Sequence, residues 1–314
     1  MPKLSIIVPV RDHAAELELC LQAIRASAQG HDEVEVLVVD TGSTDGSLEV
    51  ARQAGIEVVD AGRVTAAAAR NAGARRAQGD LLAFVDADIV IAPSWVAVAL
   101  SALEVMDIAA TGTRPFAPQD ANWVQNTVGL MRSHPESCRP ARWLSSCNCV
   151  IRREVFERVG GFDPSYTTCE DTELSFRLRR QGFRLLDEPR LACVHLGDPR
   201  TLRGVFLSEL WRGRDNLRVT VQPGELRDKI SGLVPVIELA AMAACLAPAP
   251  RVRRSAAAFV IGMIGLRAWR MLSGGASRWR QAPGALLVAG AYELSRALAV
   301  ALPAPYRVRQ RSRP

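Results

Sequence analysis

Short apolar runs alternate with longer segments of helical periodicity along the first 200 residues. Runs rich in Val, Ile and Leu predict buried strands, and segments with an apolar residue every three or four positions predict helices. The predicted strands are Leu4–Val10, 34–39, 56–59 and Leu81–Val85, and the predicted helices between them are 14–28, 45–54 with Asp45 as the N-cap, and 65–77. This alternation predicts an α/β architecture with a mostly parallel, Rossmann-like sheet flanked by helices.

The pattern weakens between residues 92 and 142, as expected of a variable, substrate-facing region. It returns with a predicted strand over 146–151 and a helix beginning near Arg152. Further along, the pattern predicts a helix over 170–181, a strand over 191–195 and a helix over 201–219. Gln222-Pro223-Gly224 is typical of a linker. We therefore predict two domains, an α/β domain over 1–222 and a hydrophobic helical region over 223–314.

Three long apolar stretches follow the linker, at 230–246, 256–272 and 285–302. Each approaches the roughly 20 residues that a membrane span needs. All three also contain charged residues, namely Glu238, Arg267, Arg270, Glu293 and Arg296. Because charges near the middle of a span are costly, we expect amphipathic interfacial or re-entrant helices rather than full spans. Full spans and a soluble helical dimerisation module remain open as alternatives.

The charge of the chain is divided unevenly. Residues 1–199 contain 20 Lys+Arg and 27 Asp+Glu, a net charge of −7, whereas residues 200–314 contain 19 and 6, a net charge of +13. The basic region could attract nucleic acid or an anionic membrane, and its apolar stretches favour the membrane surface over nucleic acid. The chain passes from Met1-Pro2-Lys3 into the first strand without the apolar segment of a secretory signal. We therefore expect a protein at the cytoplasmic face of the cell membrane.

Two carboxylates, Asp86 and Asp88, follow the buried run Leu81–Val85. Open α/β sheets bind ligands at the carboxyl ends of their strands. Paired carboxylates there suit Mg²⁺ or Mn²⁺, whose open coordination positions a diphosphate can fill. An isolated D-x-D is more often a solvated acidic turn, so the sequence leaves both interpretations open at this point.

Other polar residues stand at predicted strand and helix ends. Asp40 and the turn Pro9-Val10-Arg11 follow strands and could contact a nucleotide, and Glu170-Asp171 open a helix, as either capping residues or a general base. His195 ends a strand, as either a metal ligand or a core histidine. Neither G-x-G-x-x-G after the first strand nor G-x-x-x-x-G-K-[ST] occurs, which disfavours dinucleotide oxidoreductases and P-loop enzymes.

Five segments carry a family resemblance when they are taken in order. They are SIIVPVRD (5–12), VLVVDTGSTDGS (36–47), AAARNAGARRAQGDLLAFVDADIVI (67–91), SSCNCVIRREVFERVGGFDPS (145–165) and CEDTELSFRLRRQGFRL (169–185). Together they resemble the family 2 (GT2) inverting glycosyltransferases, which have the GT-A fold. The resemblance spans residues 4 to about 200.

This resemblance implies a role for each matching residue. A nucleotide-diphospho-sugar donor would contact Pro9, Val10, Arg11, Asp40, Arg70, Asn71, Asp86 and Asp88. Asp171 would be the catalytic base. The metal, Mg²⁺ or Mn²⁺, would be held by Asp88, with Asp86 and His195 as further candidates. The acceptor and the donor sugar would lie near Cys147, Asn148, Glu170, Trp211 and Arg212.

The chain departs from the family pattern at two places. Thr41 stands where many relatives have a second Asp, and the segment 209–214 does not match the Q-x-x-R-W motif of processive synthases. The second departure disfavours processive synthesis. The sequence predicts transfer of a sugar to a glycan or lipid-linked acceptor in polysaccharide or glycolipid biosynthesis. A non-catalytic nucleotide-sugar-binding scaffold and a nucleotidyltransferase are the alternatives, and the intact Asp86, Asp88 and Asp171 disfavour the scaffold.

Overall fold

The computed structural model describes residues 3–104, 107–132, 134–222 and 226–302. Its contacts divide the chain into two compact units. The sheet unit contains residues up to 116 and 134–197, and the helical unit contains 117–132 and 198–302. This division differs from a boundary at 222, because the segments 117–132 and 198–222 pack with the later helices. The functional partition into a catalytic domain and a membrane-associated region stays a prediction.

The strands of the sheet unit lie close to their predicted positions. They are β1 (Leu4–Val10), β2 (Val34–Asp40), β3 (Glu57–Asp60), β4 (Leu81–Val85), β5 (Ile89–Ile91), β6 (Ile108–Gly112), β7 (Arg139–Pro140), β8 (Asn148–Arg152), β9 (Arg184–Asp187) and β10 (Cys193–His195). The helices of this unit are α1 (Ala14–Ser27), α2 (Ser47–Gln53), α3 (Ala66–Arg76), α4 (Trp95–Ala102), α6 (Arg153–Arg158) and α7 (Glu170–Arg180), while α5 (Trp123–Gly129) belongs to the helical unit.

The predicted start of the second helix is wrong in detail. Helix α2 begins at Ser47 with Gly46 as its N-cap, rather than with Asp45. The Asp45 carboxylate instead accepts hydrogen bonds from the backbone N–H of Ala14 at 3.0 Å and of Ser47 at 2.9 Å. Asp45 thus fastens α2 to the start of α1 from just outside the helix.

The main sheet has the order β3-β2-β1-β4-β8-β6-β9-β7. Strands β3, β2, β1 and β4 are parallel, β8 is antiparallel to both neighbours, and β7 is antiparallel to β9. The predicted mostly parallel α/β fold is confirmed. A small second sheet pairs β5 with β10 in antiparallel orientation. The chain enters this short sheet soon after the carboxyl end of β4, because β5 is the next strand along the chain.

The sheet is buried on both faces by separate hydrophobic clusters. Along β1, Ile6 and Val8 enter one cluster, whereas Ile7 enters the other, since successive side chains of a strand point to opposite faces. Helix α3 approaches the sheet closely at Gly73, where an added Cβ would lie 2.9 Å from Val39 Cγ2. This close approach fixes α3, and therefore its polar residues, beside the carboxyl ends of β1 and β2.

The helical unit consists of α5, α8 (Leu202–Arg212), α9 (Asn216–Thr220), α10 (Leu226–Ala244), α11 (Pro250–Leu272), a 3₁₀ helix (Ala276–Gln281) and α12 (Ala282–Ala301). The single helix predicted over 201–219 is wrong, because the chain breaks between α8 and α9. Two segments, Pro250–Leu272 and Arg278–Ala301, are long and apolar enough to cross a membrane by length and composition. Whether they span a membrane or lie at its surface stays a prediction.

Candidate active site

The carboxyl ends of β1, β2 and β4 meet at one edge of the main sheet. Val10 pairs with Asp40 across β1 and β2, and Asp86 follows β4, which lies on the other side of β1. Parallel strands present their carboxyl ends together, and this is the edge at which open α/β sheets bind ligands. The fold therefore brings the polar residues predicted at separate strand ends into one region.

Asp40 organises the turn that follows β2. Its carboxylate accepts hydrogen bonds from the backbone N–H of Gly42 at 2.9 Å and of Ser43 at 3.1 Å, and the side chain is buried. Gly42 has a φ of 85°, a left-handed conformation that favours glycine. Asp40 thus fixes the loop by local hydrogen bonds. A contact with the base of the donor stays a prediction.

Arg70 joins two carboxylates from distant parts of the chain. Its Nη2 atom lies 2.6 Å from Asp86 Oδ1, and its Nη1 atom lies 2.8 Å from Glu170 Oε1. Glu170 also accepts a hydrogen bond from Ser146 Oγ at 3.2 Å. The two carboxylates raise the pKa of Arg70 even though burial opposes its charge. One buried guanidinium therefore ties the end of β4 to the first turn of α7.

Asp88 forms a second polar pair, with His195. Asp88 Oδ2 lies 3.3 Å from His195 Nε2, and the two side chains are 18% and 13% exposed. Pairing of β5 with β10 brings them together, because the residue after Asp88, Ile89, lies opposite His195. Although burial opposes the effect, the hydrogen bond from His195 lowers the pKa of Asp88. Asp88 is therefore ionised at neutral pH and can act as a metal ligand.

This pair fits a divalent cation that completes its coordination with substrate oxygens. Carboxylate and imidazole are both common ligands of Mn²⁺, and Mg²⁺ is bound by one or two carboxylates together with substrate phosphates. Within the described residues, no group of three or more His, Cys, Asp and Glu side chains could hold a metal by itself. Because Asp86 is paired with Arg70, Asp88 and His195 are the better candidates for metal ligands.

Asp171 lies one residue into α7, directly after Glu170. Burial, followed by repulsion from Glu170, raises the pKa of Asp171 to about 7. Its surroundings explain the burial effect, since a small pocket beside it is lined mostly by apolar side chains, including Ala110, Leu144, Cys149, Ile151 and Leu178. A carboxylate with this pKa is suited to remove a proton near neutral pH. The predicted base thus has an environment that matches the role.

Two predicted site residues have structural hydrogen bonds. The amide of Asn71 donates to Phe162 O at 2.7 Å and accepts from Phe162 N at 3.0 Å. The fully buried amide of Asn148 donates to Thr113 O and Leu191 O and accepts from Trp95 Nε1. Both side chains fasten loops around the site. Their direct contact with a sugar nucleotide or acceptor stays a prediction.

The remaining predicted residues fall into different environments. Val10 is buried in the core, Arg11 is exposed at the end of β1, and Pro9 is partly buried within β1. Burial raises the pKa of Cys147 to about 12, so its thiol is neutral at physiological pH. Trp211 and Arg212 belong to the helical unit, where Arg212 pairs with Glu209 at 2.7 Å.

Two residues that support the site are absent from the sequence-based list. The backbone N–H of Ser146 donates a hydrogen bond to Asp171, and the Ser146 hydroxyl donates to Glu170. Gly197 lies against Asp88, and a Cβ atom at this position would collide with Asp88 Oδ2. Ser146 lies in a segment that already resembled the family, whereas Gly197 has no local sequence signal because its neighbour is distant along the chain.

Comparison with known proteins agrees with this fold. The α/β fold with its mostly parallel sheet is GT-A-like. Residues 5–160 match the family model described as glycosyl transferase family 2. The chain therefore contains a family 2 glycosyltransferase domain.

Curated relatives include the O-antigen biosynthesis protein RfbC of Myxococcus xanthus, which is 30% identical over 224 residues, covering 62% of this chain and 17% of RfbC. Glycosyltransferase AglE of Haloferax volcanii is 28% identical over 196 residues, covering 59% of this chain and 64% of AglE. The chain thus spans less than two thirds of the length of either relative.

A solved structure with the same fold is the mannosyltransferase PcManGT from Pyrobaculum calidifontis, in complex with GDP-Man and Mn²⁺. The TM-score is 0.64 at 21% identity, and the alignment covers 95% of this chain and 86% of the other. This similarity confirms the GT-A-like fold. It leaves the substrate of the present protein to be inferred from its own residues.

Proposed function

We propose that this protein is a metal-dependent inverting glycosyltransferase that moves a sugar from a nucleotide-diphosphate donor to a hydroxyl of a lipid-linked glycan acceptor. The observation that carries the proposal is the placement of Asp171, a carboxyl group with a raised pKa, one residue after Glu170, which Arg70 ties to the end of β4. Asp88, which stands two residues after Asp86, forms the candidate metal site together with His195. The Arg70 guanidinium thus links Glu170, which precedes the proposed base Asp171, to Asp86 in the proposed donor-binding region.

Asp171 acts as the general base in this proposal. Its carboxylate accepts the proton of the acceptor hydroxyl while the oxygen of that hydroxyl attacks the anomeric carbon. The bond from this carbon to the nucleotide diphosphate breaks as the new glycosidic bond forms. A single displacement of this kind inverts the anomeric configuration. The pKa near 7 suits the task because the group is substantially ionised at neutral pH yet remains a useful base.

Asp88 and His195 would hold a divalent cation beside the leaving diphosphate. When bound, Mg²⁺ or Mn²⁺ would offset the negative charge that develops on the departing phosphate. Asp88 supplies an ionised oxygen ligand, and His195 supplies a nitrogen ligand or orients Asp88. Support for Mn²⁺ also comes from PcManGT, whose structure contains Mn²⁺ together with GDP-Man. The proposed donor of the present protein is a nucleotide-diphospho-sugar.

The acceptor is proposed to lie at the cytoplasmic face of a membrane. Two apolar helical segments of membrane-spanning length and a basic C-terminal region support this location. Washing membranes with salt, carbonate and detergent in turn tests it. We expect resistance to salt and release by carbonate if the helices are interfacial, and release only by detergent if they span. Recovery of the full chain in the soluble fraction would contradict membrane association.

The donor and the base are tested separately. Thermal stabilisation of the full chain by UDP-, GDP- and TDP-sugars, with and without Mn²⁺, identifies the donor. Asp171→Asn should abolish sugar transfer while keeping this stabilisation, because the variant removes only the proton acceptor. Asp32→Asn, an exposed acid of the same unit, is the matched control and should keep both. Substantial turnover by Asp171→Asn would contradict the assignment of the base.

A further inference from the structure

The charged side chains within the three apolar helices of the helical unit turn towards its interior. The charged residues of these stretches are Glu238 in 232–244 of α10, Arg267 in 255–269 of α11, and Glu293 and Arg296 in α12. Glu238 and Glu293 are 3% and 5% exposed, and the Arg267 and Arg296 side chains are 30% and 15% exposed. Arg296 Nη1 lies 4.0 Å from Glu209 Oε2 of α8. Burial of all four is unusual, because charged side chains of water-soluble helices face the solvent.

Three of these residues compensate one another's charge. The Arg267 guanidinium forms an ion pair with the Glu293 carboxylate, and Arg267 Cζ lies 3.9 Å from the centroid of the Tyr292 ring. Neither carboxyl oxygen of Glu238 has an N–H donor among the described residues, and the Glu238 carboxyl group lies at hydrogen-bonding distance from that of Glu293. Two carboxyl groups bond to each other only when one of them is protonated. The group formed by Glu238, Arg267 and Glu293 is then electrically neutral.

The outer faces of the same helices are apolar and exposed. Helices α10, α11 and α12 pack against one another, so each has a face that points away from their shared interior. Large apolar side chains that are at least 39% exposed lie on these faces and include Ile237, Phe259, Ile261, Leu266, Trp269 and Leu287. The most exposed of these six is Ile261, at 69%. The three helices thus have their charges inside and apolar side chains outside, the reverse of a water-soluble bundle.

Exposed arginines stand near both ends of α11. They are Arg251, Arg253 and Arg254 at its start and Arg270 at its end. Within the described part of the chain, none of these four guanidinium groups has a hydrogen bond or an ion pair. Arg254 and Arg270 are 16 residues apart, which is about 24 Å of helix. Since long arginine side chains extend further towards water, this separation is close to the roughly 30 Å thickness of bilayer hydrocarbon.

We propose that the outer faces of α10, α11 and α12 are covered by the acyl chains of a lipid bilayer, and that the interior pairing of Arg267 with Glu293 makes this possible. This arrangement, which rests on the proposed function, holds the chain in the membrane that carries its acceptor. Ionisable side chains are tolerated in hydrocarbon when they face the interior of a helix bundle and are paired there. The helices are therefore embedded in the bilayer, because a helix that lies at the interface presents a charged face to water.

Other partners fit these surfaces less well. A symmetric dimer uses one patch on each copy, whereas apolar side chains are exposed on three helices whose outer faces point in different directions. Nucleic acid would bind the arginines near the ends of α11 and leave the apolar residues between them uncovered. Lipid suits both features, because acyl chains cover the apolar side chains and phosphate groups bind the guanidinium groups.

Flotation of the full chain with phosphatidylcholine vesicles after a carbonate wash tests the embedding. We expect the wild type to float and Ile261→Lys to float at least about tenfold less, because the substitution places a charge in hydrocarbon. Leu19→Lys, which changes a leucine of α1 that is 48% exposed, is the matched control and should float like the wild type. Release of the wild type by carbonate, or equal flotation of Ile261→Lys and the wild type, would overturn the proposal.

The interior pair is tested by removing its charges singly and together. Arg267→Met leaves the Glu293 carboxylate without its cation and should reduce flotation about fivefold or more. The double variant Arg267→Met/Glu293→Gln removes both charges and should recover most of the wild-type flotation. Arg75→Met, which removes an exposed guanidinium of α3, is the control for loss of an arginine and should float like the wild type. Unchanged flotation of Arg267→Met, or no recovery in the double variant, would overturn the role of the pair.

Measurements in detergent separate this proposal from the proposed function. Thermal stabilisation by the nucleotide-sugar donor should be the same in the wild type, Ile261→Lys and the double variant, which also shows that the variants fold. If Ile261→Lys converted a dimer into a monomer in detergent, a second copy would cover this face and the assignment to lipid would be overturned. Absence of stabilisation of the wild type by any nucleotide sugar would instead overturn the proposed function and leave the flotation result unaffected.

Discussion

The Nη2 atom of Arg70 lies 2.6 Å from the Oδ1 atom of Asp86, and this contact joins helix α3 to the end of the central strand β4. Only 4% of the Arg70 side chain is exposed, so its charge is compensated by protein groups rather than by water. The second compensating group is Glu170 at the start of α7. The arrangement of the candidate site therefore depends on one buried cation.

Replacing Arg70 by Met should destabilise the protein strongly. The change leaves Asp86 and Glu170 close together without a cation, which we expect to lower the free energy of unfolding by about 3 kcal/mol. Urea unfolding of the full chain measures the change. Arg76→Met removes an exposed pair with Glu57 and should cost less than about 1 kcal/mol. If the free energy of unfolding fell equally in Arg70→Met and Arg76→Met, the buried pairs of Arg70 would stabilise the protein no more than the exposed pair of Arg76.

Replacing Gly197 by Ala should damage the candidate metal site while the fold persists. The added Cβ would displace the Asp88 carboxylate from its place opposite His195. We expect the factor by which Mn²⁺ lowers the Kd of the donor, measured by calorimetry, to be at least tenfold smaller in the variant. The circular dichroism spectrum should be unchanged. Gly262→Ala meets open space in α11 and serves as the control. If the Mn²⁺ dependence of donor binding were unchanged in Gly197→Ala, the assignment of Asp88 as a metal ligand would be wrong.

The raised pKa of Asp171 predicts the pH dependence of transfer. Because the base must be ionised, kcat/KM should rise with pH through about 7 and level off above it. The measurement is a pH profile at subsaturating donor and acceptor. A profile that is already level at pH 5 would contradict an elevated pKa for the group that controls the reaction.

The same pKa has a consequence for stability. Since the folded state raises the pKa of Asp171 above its ordinary value of 3.8, the folded state binds the proton more tightly, and stability from this group is lost as the pH rises from that value to about 7. Asp171→Asn removes that loss. We expect the free energy of unfolding to increase by about 1–2 kcal/mol at pH 8 and to stay nearly unchanged at pH 3, where the carboxyl is protonated in both states. A variant that is less stable at pH 8 would contradict this sign.

Asn148 should be important for stability rather than for chemistry. Asn148→Ala leaves Trp95 Nε1 and two carbonyl oxygens without their buried partner, which should cost about 3 kcal/mol. Asn126→Ala removes one exposed hydrogen bond and should cost less than about 1 kcal/mol. Thermal unfolding compares the two. A stable Asn148→Ala variant with lost transfer would assign Asn148 a direct role in binding instead.

The strands were the most predictable part of the fold. The bounds of β1 and β4 match the prediction, because dense runs of Val, Ile, Leu and Phe have few other stable environments than a buried sheet. The break between α8 and α9 was missed, since Gly213 and Arg214 interrupt the helix without a strong local signal. Short-range periodicity thus located the elements better than their ends.

The candidate site was predictable in its residue types but not in its connections. The family resemblance identified Asp86, Asp88, Asp171 and His195, yet the pairing of Asp86 with Arg70 and of Asp88 with His195 depends on contacts across 16 and 107 positions. The structural hydrogen bonds of Asn71 and Asn148 were equally invisible, because an amide in a motif gives no indication of its partner. These contacts arise from the packing of separate elements.

The sequence by itself determined the alternation of strands and helices, the family, and the acidic residues at strand ends, because these follow from local periodicity and contiguous motifs. Only the tertiary structure decided which carboxylate is neutralised by Arg70 and which remains beside His195. It also decided that Asp171 stands against an apolar pocket. The physical reason is that burial and electrostatic pairing depend on distances in space, which the order of residues along the chain does not specify.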